Sequence, residues 1–163
     1  MPIKVGKLTD AYGSAHAEPA MRAAALGYAG ADYLDACTFL KLHHETLGPL
    51  VNFILPTMHQ TLELLTKAIA FKIDEEFPPK KYSHKILALV RDYEKSCPVF
   101  ASMIADSKTV NLLEELEKSY LGVRYGECWM SYDVETWQLF VKRAHELLNE
   151  LRATTKLRFP TRF

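Results

Sequence analysis

The chain has 163 residues, 48% of them hydrophobic, which is enough to bury one substantial core without calling for a second domain. Twenty lysines and arginines cancel twenty aspartates and glutamates to a formal charge of zero, so no global field draws the protein to nucleic acid or an anionic membrane, and any such binding must be local. Three scattered cysteines, Cys37, Cys97 and Cys128, are odd in number and lack close pairs, which argues against a disulfide framework or zinc knuckle and for a reducing, cytoplasmic setting.

The first residues, MPIKVGKLTDAYGSAHAEPAM, hold no apolar core of signal-peptide length, and no later run reaches the roughly 20 apolar residues that span a bilayer. Residues 1–25 are poor in large apolar side chains and broken by Gly6, Gly13 and Pro19, so they read as an irregular arm. Tyr33, Cys37, Leu40, His44 and Leu47 recur at alternating spacings of four and three, predicting a first helix over 29–47 that stops at Gly48-Pro49. Leu55, Met58, Leu62, Leu65 and Ile69 form the apolar stripe of a second helix, running from about Leu50 or Pro56 to Ile73 before Asp74, with Pro56 in its first turn or at a kink.

Ser83 is the expected N-cap of a third helix holding Ile86, Leu87, Val90 and Tyr93, closed by Ser96-Cys97-Pro98. A short helix over 99–104 follows, then a fourth entered through Asp106 or Ser107 and packed through Leu112, Leu113, Leu116 and Tyr120. Asp133 caps a fifth, whose wide stripe runs Trp137, Phe140, Val141, Ala144, Leu147, Leu148 and Leu151. Neither internal repeats nor strand-like alternation occur. The expected organisation is an arm over 1–25, an all-α bundle over 26–157 and a basic tail over 158–163 carrying Arg158 and Arg162.

Carboxylate-bridged metal sites in helix bundles use Glu-x-x-His pairs, which bring both ligands to one face. None of the six histidines has Glu three residues before it, no His-Glu-x-x-His occurs, and the adjacent His43 and His44 point apart. No metal or cofactor is expected. Gly-rich phosphate loops are missing too. Cys37 falls in an apolar stripe and reads as a buried, inert thiol, whereas Cys97 and Cys128 sit beside helix ends and are expected to be more open.

Three short motifs stand in a telling order: Glu63, Lys67 and Ala68, then His84-Lys85-Ile86, then Arg124-Tyr125-Gly126-Glu127. This order resembles the HEPN family of small helical proteins, whose members show Glu-x-x-x-Lys-Ala, then His-Asp-Leu, then Arg-Tyr-Pro-Asp. Lys85 stands where the family has Asp, and Gly126-Glu127 where it has Pro-Asp.

The resemblance implies an up-and-down bundle of four to five antiparallel helices, commonly paired into a homodimer. It also implies a nucleotidyltransferase protein partner in a toxin-antitoxin or defence setting. Many family members are RNases that use Arg followed four to six residues later by His. No arginine of this chain has that partner, and Arg143 with His145 are two apart, so they point in different directions on a helix.

The resemblance therefore implies a non-catalytic module with Lys67, His84, Arg124 and Tyr125 as the ligand-binding residues and a nucleotide or RNA phosphate as the ligand. Lys67 is otherwise a lysine paired with Glu63 at i,i+4, His84 a capping or packing residue, and Arg124 a partner for carbonyls at a helix end. An RNase with a non-standard active site and a purely structural interaction bundle are the alternatives.

Overall fold

The computed structural model describes residues 19–43, 53–124 and 132–154. The first helix, α1, spans Pro19–Leu42. It starts ten residues before the expected position, because the run AMRAAALGYAGA is rich in alanine, the best helix former, and poor in the large side chains that make a stripe visible. The last part of the expected arm is thus helical. Residues 1–18 lie outside the described residues, as do His44, Leu47 and the expected stop at Gly48-Pro49.

The buried face of α1 is also different. Ala23, Ala31, Leu34 and Cys37 face the core, while Tyr33, expected in the stripe, is 43% exposed. Small residues let α1 lie close on α2 (Ile54–Ile73). A Cβ added at Gly30 would come within 2.6 Å of Leu65 Cδ2, well inside van der Waals contact. The pairing is antiparallel: Cys37 Sγ reaches the Ile54 carbonyl at 3.6 Å, Gly30 meets Leu65 mid-helix, and the Arg22 guanidinium lies 5.8 Å from the Phe71 ring.

Three short helices follow: α3 (Pro79–Tyr82), α4 (Ile86–Asp92) and α5 (Pro98–Ala105). The long α6 (Ser107–Arg124) and α7 (Val134–Thr154) complete the order. Among the described residues there is no strand, and the result is the expected all-α bundle. Helix α2 sits at its centre, against α1, α4, α6 and α7. The predicted α6 stripe, Leu112, Leu113, Leu116 and Tyr120, is buried as read; on α7 Phe140, Ala144, Leu147, Leu148 and Leu151 are buried, whereas Trp137 and Val141, also expected in the stripe, are only partly buried at its edge. No helix is long and apolar enough to cross a membrane among the described residues.

Helix starts divide into local and long-range solutions. Asp106 Oδ1 accepts the Lys108 N–H at 3.1 Å, and Asp133 Oδ1 accepts the Thr136 N–H at 2.7 Å, so both expected caps are made. Ser83 does not cap α4: the helix begins at Ile86 and has no side-chain cap from the residue before it. Glu117 of α6 supplies the acceptor instead, taking the Leu87 N–H at 2.5 Å. Burial raises the Glu117 carboxyl above its ordinary range, and the α4 amides pull it back. Cys97, expected to be open, is buried because it leads into α5 from within the core cluster. Cys37 is buried as read, and burial pushes its thiol well up. Cys128 lies outside the described residues.

One buried cation ties α5, α6 and α7 together. Arg143 Nη2 meets Asp106 Oδ2 at 2.6 Å, Nη1 meets Glu146 Oε2 at 2.6 Å and Ser102 Oγ at 3.2 Å, and Nε donates to Thr109 Oγ1 at 2.7 Å. The Thr109 hydroxyl and then the Arg143 guanidinium hold the Asp106 carboxyl down at about 2. Removing the cation would strand its partners, so Arg143→Met should cost about 3 kcal/mol in urea denaturation at neutral pH. A depressed carboxyl stabilises the fold above the ordinary value of 3.8 and loses that contribution as pH falls toward about 2. The acid limb of the stability profile should therefore be shallower in Arg143→Met; an unchanged midpoint and an unchanged acid limb would rule the cluster out as a source of stability.

Candidate functional site

On α2, His59, Glu63 and Lys67 stand four residues apart and so share one helix face. Glu63 is buried, and a buried carboxylate persists only with charged or hydrogen-bonding partners. It has two on its own oxygens. Lys67 Nζ donates to Oε1 at 2.6 Å, and His84 Nδ1 lies 2.8 Å from Oε2. A carboxylate can only accept, so the proton of that contact sits on Nδ1.

The segment after α3 is shaped to meet this face. Lys85 N–H bonds to the Tyr82 carbonyl at 2.7 Å, closing a tight turn in which Ser83 has φ 45° and ψ −111°. That conformation belongs to the first central position of a type II′ turn, where glycine is the usual residue. The turn delivers three groups to α2. The Ser83 carbonyl accepts from Lys67 Nζ at 2.6 Å, the His84 carbonyl meets His59 Nε2 at 3.1 Å, and the His84 ring reaches Glu63.

Tyr120 of α6 closes the inner side. Its ring stacks on His59 at 4.1 Å between centroids and tilts against His84 at 4.8 Å, and its hydroxyl bonds Gln60 Oε1 at 3.1 Å. His59 is fully buried, and burial pushes its ring down to about 4, with Glu63 opposing. The ring is neutral near pH 7, with its proton on Nε2 toward the His84 carbonyl. Among the described residues its Nδ1 has no hydrogen-bond partner, and it lies 3.6 Å from Glu63 Oε2.

Outward, the cluster opens into a cleft of about 340 Å³ lined by Glu63, Lys67, Pro79, Lys80, Ser83 and His84. The His84 side chain is 45% exposed there and Lys67 only 13%. Because Lys67 offsets Glu63, the cleft's remaining charge comes from Lys80 and from any proton on His84, which suits an anion. A larger groove of about 790 Å³ lies along α6 and α7, but its lysines already have carboxylate partners, Lys108 with Glu135 at 3.6 Å and Lys142 with Glu146 at 4.0 Å. Among the described residues no three His, Cys, Asp or Glu side chains are set to hold a metal ion.

Of the four residues expected to bind a ligand, Lys67 and His84 meet, and they meet through Glu63. Arg124 is the last residue of α6, one turn beyond Tyr120; its side chain and the whole of Tyr125 lie outside the described residues. Sequence reading passed over His59, Lys80 and the Ser83 carbonyl as site groups, and it took Glu63 as a motif residue and a partner for Lys67, not as the anchor of the site. The signal available was the four-residue spacing His59, Glu63, Lys67 inside an otherwise apolar helix.

A family model, described as HEPN domain, matches residues 49–154. No curated protein and no solved structure matches the chain.

The buried His59 makes stability depend on pH in a defined direction. Its folded value of about 4 is below the ordinary 6.5, so the unfolded chain binds more protons between the two. Stability is full above about 6.5 and falls as pH drops toward 4, by about 3 kcal/mol in all. Urea midpoints measured from pH 7 to pH 4.5 should show this slope, and His59→Gln, which keeps a donor but does not titrate, should flatten it. Equal slopes in both proteins would place the acid sensitivity elsewhere.

Proposed function

The chain belongs to the HEPN domain family, and from that premise we propose that it is a non-catalytic, homodimeric binding module that holds a nucleotide or RNA phosphate in the cleft between α2 and the Tyr82–Lys85 turn. The observation that carries this reading is the convergence of Lys67, His84 and Lys80 on one cleft in which the buried Glu63 already has its charge matched. His84 and Lys80 engage the phosphate, and Lys67 sets the local potential from behind. Arg124 adds a bidentate fork and Tyr125 a stacking face for a base.

The dimer is supported by family membership and by apolar side chains on the outer face of α1: Tyr33, Phe39 and Leu42 are all exposed. A nucleotidyltransferase protein partner in a toxin-antitoxin or defence setting is part of the same reading and rests on the family resemblance alone.

A second reading, RNA cleavage by a non-standard site, is favoured by one contact. The 2.8 Å bond that His84 Nδ1 donates to Glu63 orients an imidazole whose other nitrogen has no hydrogen-bond partner among the described residues and can move a proton. Arg143, the arginine with a histidine two residues on in sequence, takes no part, since all three of its guanidinium nitrogens are engaged in the joint of α5, α6 and α7. Binding ranks first because a cleaving site also needs a cation fixed at the developing charge; Lys67 is held by Glu63 and the Ser83 carbonyl, and Lys80 is an exposed side chain with no described group to fix it.

Calorimetry with ATP, GTP and short RNA should detect weak binding that Arg124→Ala reduces by about 1.5–3 kcal/mol, with a smaller loss at high salt. The RNA should remain intact. Cleavage that disappears in His84→Ala would establish the second reading, and absence of binding to all three would leave a purely structural bundle. Sedimentation at micromolar concentration should give twice the chain mass; a single-chain mass would remove the dimer.

A further inference from the structure

Building on the phosphate reading of the cleft, we propose that anion binding is coupled to the uptake of one proton by His84, so that the site binds oxyanions only with this ring as an imidazolium. The geometry leaves few alternatives. Glu63 Oε2 fixes the His84 proton on Nδ1 at 2.8 Å, so in the neutral ring Nε2 carries a lone pair. No described residue hydrogen-bonds that nitrogen, and the half-exposed ring lines the cleft.

A phosphate oxygen placed against Nε2 would set one lone pair against another. Moving the proton to Nε2 does not solve this, because Nδ1 would then turn its lone pair on the Glu63 carboxylate. Only the doubly protonated ring donates to Glu63 and to the ligand together.

The groups around His84 fit that role. From α2, Glu63 favours the added charge and Lys67 opposes it. His59, neutral and buried, donates its Nε2 proton to the His84 carbonyl and keeps its Nδ1 at 3.6 Å from Oε2, too far to displace the His84 ring. From α6 the Tyr120 ring packs against it at 4.8 Å, and Glu117 is occupied by the α4 amides. Lys80 lines the same cleft, and Lys85 is the residue that follows. An anion between Lys80 and His84 offsets the neighbouring cations and favours the added proton on the ring. Ligand and proton therefore enter together.

Sulfate is the suitable probe, since unlike phosphate it does not itself titrate near neutral pH. Its affinity for the full chain should be measured at pH 7.5, 8.0 and 8.5, with the His84 ring nitrogens followed by nuclear magnetic resonance. The dissociation constant should rise toward about tenfold per pH unit, and at fixed pH saturating sulfate should move the ring signals from neutral to imidazolium positions. In His84→Gln the binding should be weaker and independent of pH. In Lys80→Ala it should be weaker with the slope kept.

Sulfate binding with a flat pH profile in the wild type would overturn the coupling while sparing the phosphate reading, and a slope that survives in His84→Gln would do the same. No sulfate binding at any pH would overturn the phosphate reading itself and the coupling with it.

Discussion

A carboxylate buried in the middle of a central helix has to be neutralised, and much of the local structure answers that demand. Glu63 lies on α2, the helix that every other long helix touches, so it cannot be moved to solvent without opening the bundle. Lys67 meets it from the same helix, and His84 meets it from a turn held in an unusual conformation. The two side chains nearest the cleft are thus oriented by the electrostatics of the interior. A loop of exposed lysines could present similar charge, but not at fixed distances from a buried anchor.

The fold was legible wherever large apolar side chains marked a helix face. The stripes of α2, α6 and α7 and the caps Asp106 and Asp133 follow from spacing and local hydrogen bonding alone. Helix α1 was misread in start and face because its contact with α2 is made by alanine and glycine, whose value lies in what they leave out. The Glu117 cap of α4 was invisible for another reason. Its donor and acceptor are 30 residues apart in the chain, and Ser83 was the better local candidate.

Part of the candidate site was legible through the order of the family motifs, which singles out Lys67 and His84. What joins them was not. The bond from His84 to Glu63 spans 21 residues and depends on a turn whose second residue, Ser83, carries none of the usual glycine signal. His59 was passed over because a histidine is ambiguous until its burial is known. Arg143 was set aside from sequence because its histidine neighbour points elsewhere, and the structure adds a use for it: the guanidinium is consumed in holding three helices together.

The turn at Ser83 carries a consequence of its own. A side chain at φ 45° is disfavoured by sterics, at a cost of order 1–3 kcal/mol, and glycine would remove that cost at an exposed position. Glycine would also leave Tyr82, Ser83 and His84 free to sample more backbone states, so the imidazole would spend less time against Glu63. Position 83 is therefore one at which thermal stability and ring alignment pull toward different residues. Selection for stability alone would be expected to replace this serine, and its retention would mark lineages in which the aligned ring matters.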